Sequence, residues 1–244
     1  MVARGVIPFM VADPAVWSHQ QLLKITPVTP ASPAKRPSCA TCMRPQSACI
    51  CQWITPIAHG VEVLILQHPL EVDNAKGSAR LLHLSLPRSR MVTGEVFTGQ
   101  AWLLAPFEAQ AAAENPKHNI LLYPDTQGMP DDKALDMPAP PVLAPALLQD
   151  PSQLRLIVLD ATWRKSRKML YLNPQLQQMP RLSLQGMPAS RYLVRKAHSP
   201  DQRSTLEATC AALMQLERSV EKFQPLLTAF DGFVAQQLGY RAKR

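Results

Sequence analysis

Three short runs, VEVLILQ at 61–67, NILLYP at 119–124 and LRLIVLD at 154–160, are apolar at nearly every position. A strand with one wet face alternates apolar and polar residues, so a run with almost no alternation has to be buried on both faces. Parallel strands meet that demand, because each connection crosses the sheet and usually does so as a helix. The segment AKGSARLLHLSL, after the first run, carries leucines suited to a helix. STLEATCAALMQLERSVEKF at 204–223 is a stronger helix: Ser204 and Glu207 have the capping-box spacing, and Leu206, Cys210, Leu213 and Leu216 line one face. LSLQ, beyond Arg181, reads as a further short strand. The expected fold class is α/β, a mainly parallel sheet flanked by helices.

Composition divides the rest of the chain. Residues 1–34 are rich in Pro, Ala and Val without periodicity, which predicts a loosely ordered arm. A cysteine-rich module follows at 35–56, then the main domain at 57–238, and a basic tail at 239–244. Inside the main domain, 127–153 is too proline-rich for a regular element and reads as a surface excursion. No stretch approaches the roughly 20 apolar residues of a membrane span. The apolar start is broken by Pro8 and lacks a clear cleavage site, so a cytoplasmic protein without membrane attachment is expected. The net charge of +8, from 26 Lys and Arg against 18 Asp and Glu, favours partners that carry phosphate.

Four of the five cysteines, Cys39, Cys42, Cys49 and Cys51, fall within thirteen positions. That makes a poor disulfide framework in a reducing compartment, but four thiolates close a tetrahedral zinc shell with no open position for chemistry. The reading is a structural zinc site; unliganded core cysteines are the alternative. Lys35, Arg36 and Arg44 surround the cluster, as in a knuckle that touches phosphate or as in any solvated face.

In parallel α/β sheets ligands gather at the carboxyl ends of the strands. If the three runs are sheet neighbours, His68, Glu71, Tyr123, Asp125, Asp160 and Thr162 share one mouth. Local chemistry offers other roles for them. Asp160 or Thr162 suits the cap of the helix beginning at Trp163, Glu207 suits its capping box, and His68 suits a loop. On that helix Trp163, Ser166 and Leu170 share one face, and Arg164, Lys165 and Lys168 point away from it toward solvent.

Six segments, in order, carry a resemblance: CATCMRPQSACIC, QHPLEVDNAKGSARLL, ILLYPD, LIVLDATWRKSRKML, SRYLVRKAH and STLEATCAALMQLE. From about Cys39 to Phe233 the chain resembles the DTW-domain proteins, the tRNA-uridine aminocarboxypropyltransferases. The naming triad Asp-x-Thr-Trp is Asp160-Ala161-Thr162-Trp163, with Ala161 where glycine is common. The resemblance implies transfer of the 3-amino-3-carboxypropyl group of S-adenosyl-L-methionine to N3 of a tRNA uridine, leaving methylthioadenosine. It also implies a SPOUT-like, knotted sheet. Catalytic roles then fall to Asp160, Thr162 and Trp163, and the donor pocket to Tyr123, Pro124, Asp160, Thr205 and Glu207. His68 and Glu71 would orient substrate, and Arg164, Lys165, Lys168, Arg191, Arg195 and Lys196 would meet tRNA phosphates. No obligate protein partner is implied. A SPOUT-type RNA methyltransferase and a non-catalytic, zinc-containing RNA-binding protein are the competing functions.

Overall fold

Five strands, β1 (Glu62–Gln67), β2 (Ser89–Thr93), β3 (His118–Leu122), β4 (Leu154–Asp160) and β5 (Arg181–Leu182), form one parallel sheet in the order β2-β1-β4-β3-β5. The structure is a computed structural model and describes residues 37–97, 99, 107, 117–124, 137–184, 190 and 203–241. The expected arm at 1–34, residues 127–136 of the excursion, and tail residues 242–244 lie outside the described residues. So does nearly all of the chain between β5 and residue 203, and the expected knot is not shown among the described residues.

The three apolar runs are the three central strands. Their alternate residues go to opposite faces, and both faces are covered, as the absence of alternation requires. Val63, Ile65, Ile120, Leu154, Leu156 and Val158 pack with α1 (Ala79–Ser85), α4 (Thr205–Leu216) and α5 (Val220–Arg241). Leu64, Leu66, Leu121 and Ile157 pack on the other side with Met169, Leu170 and Leu176 of α2 (Trp163–Leu172) and α3 (Pro174–Gln177). Interior polar residues of the central runs meet in register. Glu62 pairs with Arg155, whose Nε and Nη2 lie 2.8 and 2.7 Å from Glu62 Oε2, both side chains nearly fully buried.

Three elements differ from expectation. β2 has no apolar run to announce it, because it is an edge strand with no fully buried residue. β5 is confined to Arg181–Leu182. The helix expected through residue 223 breaks after Leu216: the Glu217 carboxylate accepts from the backbone N–H groups of Gly60 and Val61 at 2.7 and 3.1 Å. Arg218 then turns the chain at φ 51°, and α5 starts afresh. Within the excursion, 137–153 holds only two short 3-10 turns, Pro145–Leu148 and Pro151–Gln153.

The cysteine segment packs into the same core, through Cys42 and Ile50. Trp53 lies against α5, where its Nε1 donates to Gln236 Oε1 at 2.6 Å. A Cβ on Gly232 would stand 2.2 Å from the Trp53 ring. Gly232→Ala gains about 1 kcal/mol of helix propensity but overpacks a ring held by its own hydrogen bond, at a cost of about 1–3 kcal/mol. A net loss of stability is expected in urea unfolding. Gly239→Ala on the same helix, where nothing lies within 4 Å, is the control and should be neutral or slightly stabilising.

Candidate active site

β1, β4 and β3 are neighbours running the same way, so their carboxyl ends open on one edge of the sheet. Asp160 closes β4 there and is buried. Gln67, its register partner at the end of β1, donates Nε2 to Asp160 Oδ2 at 2.9 Å. Thr205, the first residue of α4, donates Oγ1 to Asp160 Oδ1 at 2.6 Å. The backbone N–H of His68 donates to the Asp160 carbonyl at 3.0 Å. Each carboxylate oxygen thus accepts from a neutral donor, which fixes the carboxylate in one orientation.

This geometry answers the capping alternative. Thr162 occupies the N-cap of α2, yet its side chain makes no cap bond, and its carbonyl joins the helix by accepting from Ser166 N at 2.8 Å. Asp160 turns away toward β1 and α4. Ser166 and Leu170 are buried as the helical pattern predicts, but Trp163 is 40% exposed. Its ring stacks on buried Tyr123 at 5.4 Å between centroids and 15° between planes, and the Arg181 guanidinium lies 5.4 Å from the Tyr123 ring centre.

The four clustered cysteines bring their sulfurs within 4.8 Å of one another. Cys39 and Cys51 are 3.5 Å apart and Cys42 and Cys49 3.8 Å, far beyond the ~2.05 Å of a disulfide. Tetrahedral thiolates about 2.3 Å from a zinc ion would stand about 3.8 Å apart, so the donor set fits such an ion. Backbone N–H groups of Cys42 and Thr41 pull the Cys39 thiol down to about 6, whereas burial pushes Cys51 up to about 12. A divalent cation removes that disparity by deprotonating every ligand. The turn itself is tight: Met43 sits at φ 59°, and Cys39 N donates to Arg44 O at 2.7 Å.

The DTW domain matches residues 36–238, most of the chain and all of the geometry above. The chain belongs to the DTW-domain family. Among curated relatives, tRNA-uridine aminocarboxypropyltransferase 2 of Macaca fascicularis is 25% identical over 218 residues, which cover 88% of this chain and 68% of that protein. The Drosophila melanogaster protein of the same name is 26% identical, covering 88% of this chain and 81% of its own length. tRNA-uridine aminocarboxypropyltransferase A of Arabidopsis thaliana is 28% identical over 145 residues, 56% of this chain and 51% of that protein. No solved structure matches.

Around the DTW triad the other expected residues divide. Glu207 is committed to its capping box, accepting from Ser204 N at 3.0 Å, and also accepts from Ser190 Oγ at 2.8 Å. His68 Nδ1 accepts from Leu70 N at 3.1 Å, so its proton sits on Nε2, 3.1 Å from Glu95 Oε1. Lys168 bonds the same Glu95, and these two partners, Lys168 foremost, hold the Glu95 carboxyl below the usual carboxylate range. Buried Glu71 accepts from Lys165 Nζ and from Asn74 Nδ2, each at 2.8 Å. Lys165 is therefore half-buried in an ion pair, where the helical pattern predicted a solvated cation, while Arg164 is exposed. Asp125, Arg191, Arg195 and Lys196 lie outside the described residues. Gln67 and Glu95 were not anticipated. Gln67 alone left a trace, as the polar residue ending the first apolar run.

Among the described residues, no helix is long and apolar enough to cross a membrane.

Proposed function

We propose that the chain transfers the 3-amino-3-carboxypropyl group of S-adenosyl-L-methionine to N3 of a tRNA uridine, yielding 3-(3-amino-3-carboxypropyl)uridine and methylthioadenosine. The observation that carries this reading is the buried Asp160 carboxylate of the family triad, braced by Gln67 and Thr205 at the mouth of a parallel sheet. The relatives' names and the net charge of +8 support tRNA as the acceptor.

Uracil N3 is a poor nucleophile while it holds its proton. Asp160 accepts that proton as N3 attacks the γ-carbon of the donor; the N3–C bond forms as the C–S bond breaks, and the electron pair stays on sulfur. Before transfer the same carboxylate faces a sulfonium, which a fixed negative charge stabilises. Thr205 and Gln67 keep Asp160 aimed. Thr162 and the Tyr123-Pro124 corner line the donor pocket, and Glu207 acts on it through the start of α4. Trp163, held flat by Tyr123, offers its exposed face to a base. His68 and Glu71 orient substrate by fixing Lys168 and Lys165 through carboxylates, and with Arg164 these cations meet phosphate. Arg191, Arg195 and Lys196 are further cations of the chain proposed to meet phosphate. The 35–56 module holds a structural zinc ion, the 57–238 domain does the chemistry, and the enzyme works in the cytoplasm.

The test is nucleoside mass spectrometry of unmodified tRNA after incubation with purified protein and donor labelled in the carboxyl carbon. Label in a uridine nucleoside is expected. A methylated nucleoside without carboxyl label would replace this reading by the methyltransferase one, and tRNA bound but unchanged would leave an RNA-binding protein.

A further inference from the structure

The cysteine knuckle reaches the Asp160 site through one side chain. Arg44, between the second and third cysteines, extends its guanidinium to the turn before α1, donating Nη1 to Ala75 O at 2.5 Å and Nη2 to Gly77 O at 2.7 Å. Its charged group also lies 5.3 Å from the Phe233 ring centre on α5. A planar fork that grips two carbonyls two residues apart fixes the turn's orientation as well as its position. The turn has its own internal bond, Gly77 N to Asn74 O at 2.8 Å, and Asn74 in turn bonds Glu71.

The next residue, Ser78, occupies the N-cap of α1, yet makes no side-chain cap bond to its own helix. Its Oγ instead accepts from Leu206 N at 3.2 Å, an amide in the first turn of α4 that the helix itself leaves unpaired. The residue before Leu206 is Thr205, whose hydroxyl holds Asp160. A contiguous series of contacts therefore runs from the metal knuckle through Arg44, the Gly77–Ser78 peptide, Ser78 Oγ and the start of α4 to the carboxylate.

We propose that Arg44 is a positioning residue: it sets Ser78 so that the first turn of α4 presents Thr205 to Asp160, which makes the cysteine module part of the active-site scaffold. The idea rests on the proposed reaction for its catalytic consequence, but not for its structural one.

The experiment compares wild type, Arg44→Ala, Arg44→Lys, Ser78→Ala and the Arg44→Ala/Ser78→Ala pair, all with metal as purified. Zinc content, amide hydrogen exchange at Leu206, kcat and the donor KM are measured. Arg44→Ala is expected to keep its zinc, exchange the Leu206 amide faster, and lose about 2- to 30-fold in kcat/KM, the range of couplings carried through packed networks. Lysine, a single point charge, should restore only part. The double variant should be no worse than Ser78→Ala alone, since both act on one link.

Wild-type exchange and kinetics in Arg44→Ala would overturn the proposal, as would losses that multiply in the double variant. Loss of zinc from both Arg44 variants would also overturn it, because the arginine would then be serving the metal site itself. If wild type transfers nothing to tRNA, the proposed reaction fails, while amide exchange still reads the link.

Discussion

Asp160→Asn is expected to lower single-turnover transfer to tRNA by about 10²–10⁴-fold, the usual worth of a positioned general base, while leaving the fold intact. The fold survives because asparagine satisfies both Gln67 and Thr205. Its Oδ1 accepts from Gln67 Nε2, and its Nδ2 donates to the Thr205 hydroxyl, which turns from donor to acceptor. What asparagine lacks is the basicity to take the N3 proton and the charge to face a sulfonium. Thr205→Val and Gln67→Leu keep the carboxylate but free its orientation, so each should cost less than the asparagine. A urea unfolding curve like that of wild type, alongside the lost rate, would separate chemistry from stability. Wild-type turnover in Asp160→Asn would remove the base from the mechanism.

Cys42→Ser is expected to empty the metal site and to destabilise the protein by about 4 kcal/mol or more, since metal loss belongs to the short list of large single-site effects. Cys42 is the buried one of the four clustered cysteines, at 1% exposure, and it belongs to the core shared with α1, α4 and α5. The segment it anchors is tied down elsewhere: Gln236 Nε2 donates to Cys49 O at 2.9 Å, Tyr240 OH donates to Ser47 O at 2.6 Å, and Trp53 covers Gly232. Those contacts should keep α5 and the sheet folded under mild conditions, so the loss appears as a lower urea midpoint and not as an unfolded chain. Elemental analysis reads the metal directly. The same zinc content in Cys42→Ser as in wild type would reject the four-cysteine shell.

The central sheet was legible in the sequence because burial on both faces leaves a local mark, a run without alternation. The capping box and the buried stripe of α4 were legible for a similar reason, each lying within the about three turns of one helix. The edge strand β2 left no such mark. Nor did the break at Glu217, which depends on backbone N–H groups of Gly60 and Val61 more than 150 residues away. The basic face of α2 misled in the same way: helical spacing placed Lys165 in solvent, and Glu71, in the 3-10 turn Pro69–Glu71 after β1, drew it in.

At the site the division follows the same line. Residue types and their order were enough to nominate Asp160, Thr162, Thr205 and the four cysteines, and to assign the chain to its family. They left Asp160 between cap and catalyst, because either use needs only a carboxylate before a helix. The tertiary structure decided only what the carboxylate touches: strand register places Gln67 beside Asp160 across 93 residues of chain, and the docking of α4 brings Thr205 to the same carboxylate, away from the cap of α2. Register and docking are set by the packing of whole faces and not by any local pattern, so the partners that orient Asp160, and the Arg44 fork behind them, appear only in the folded chain.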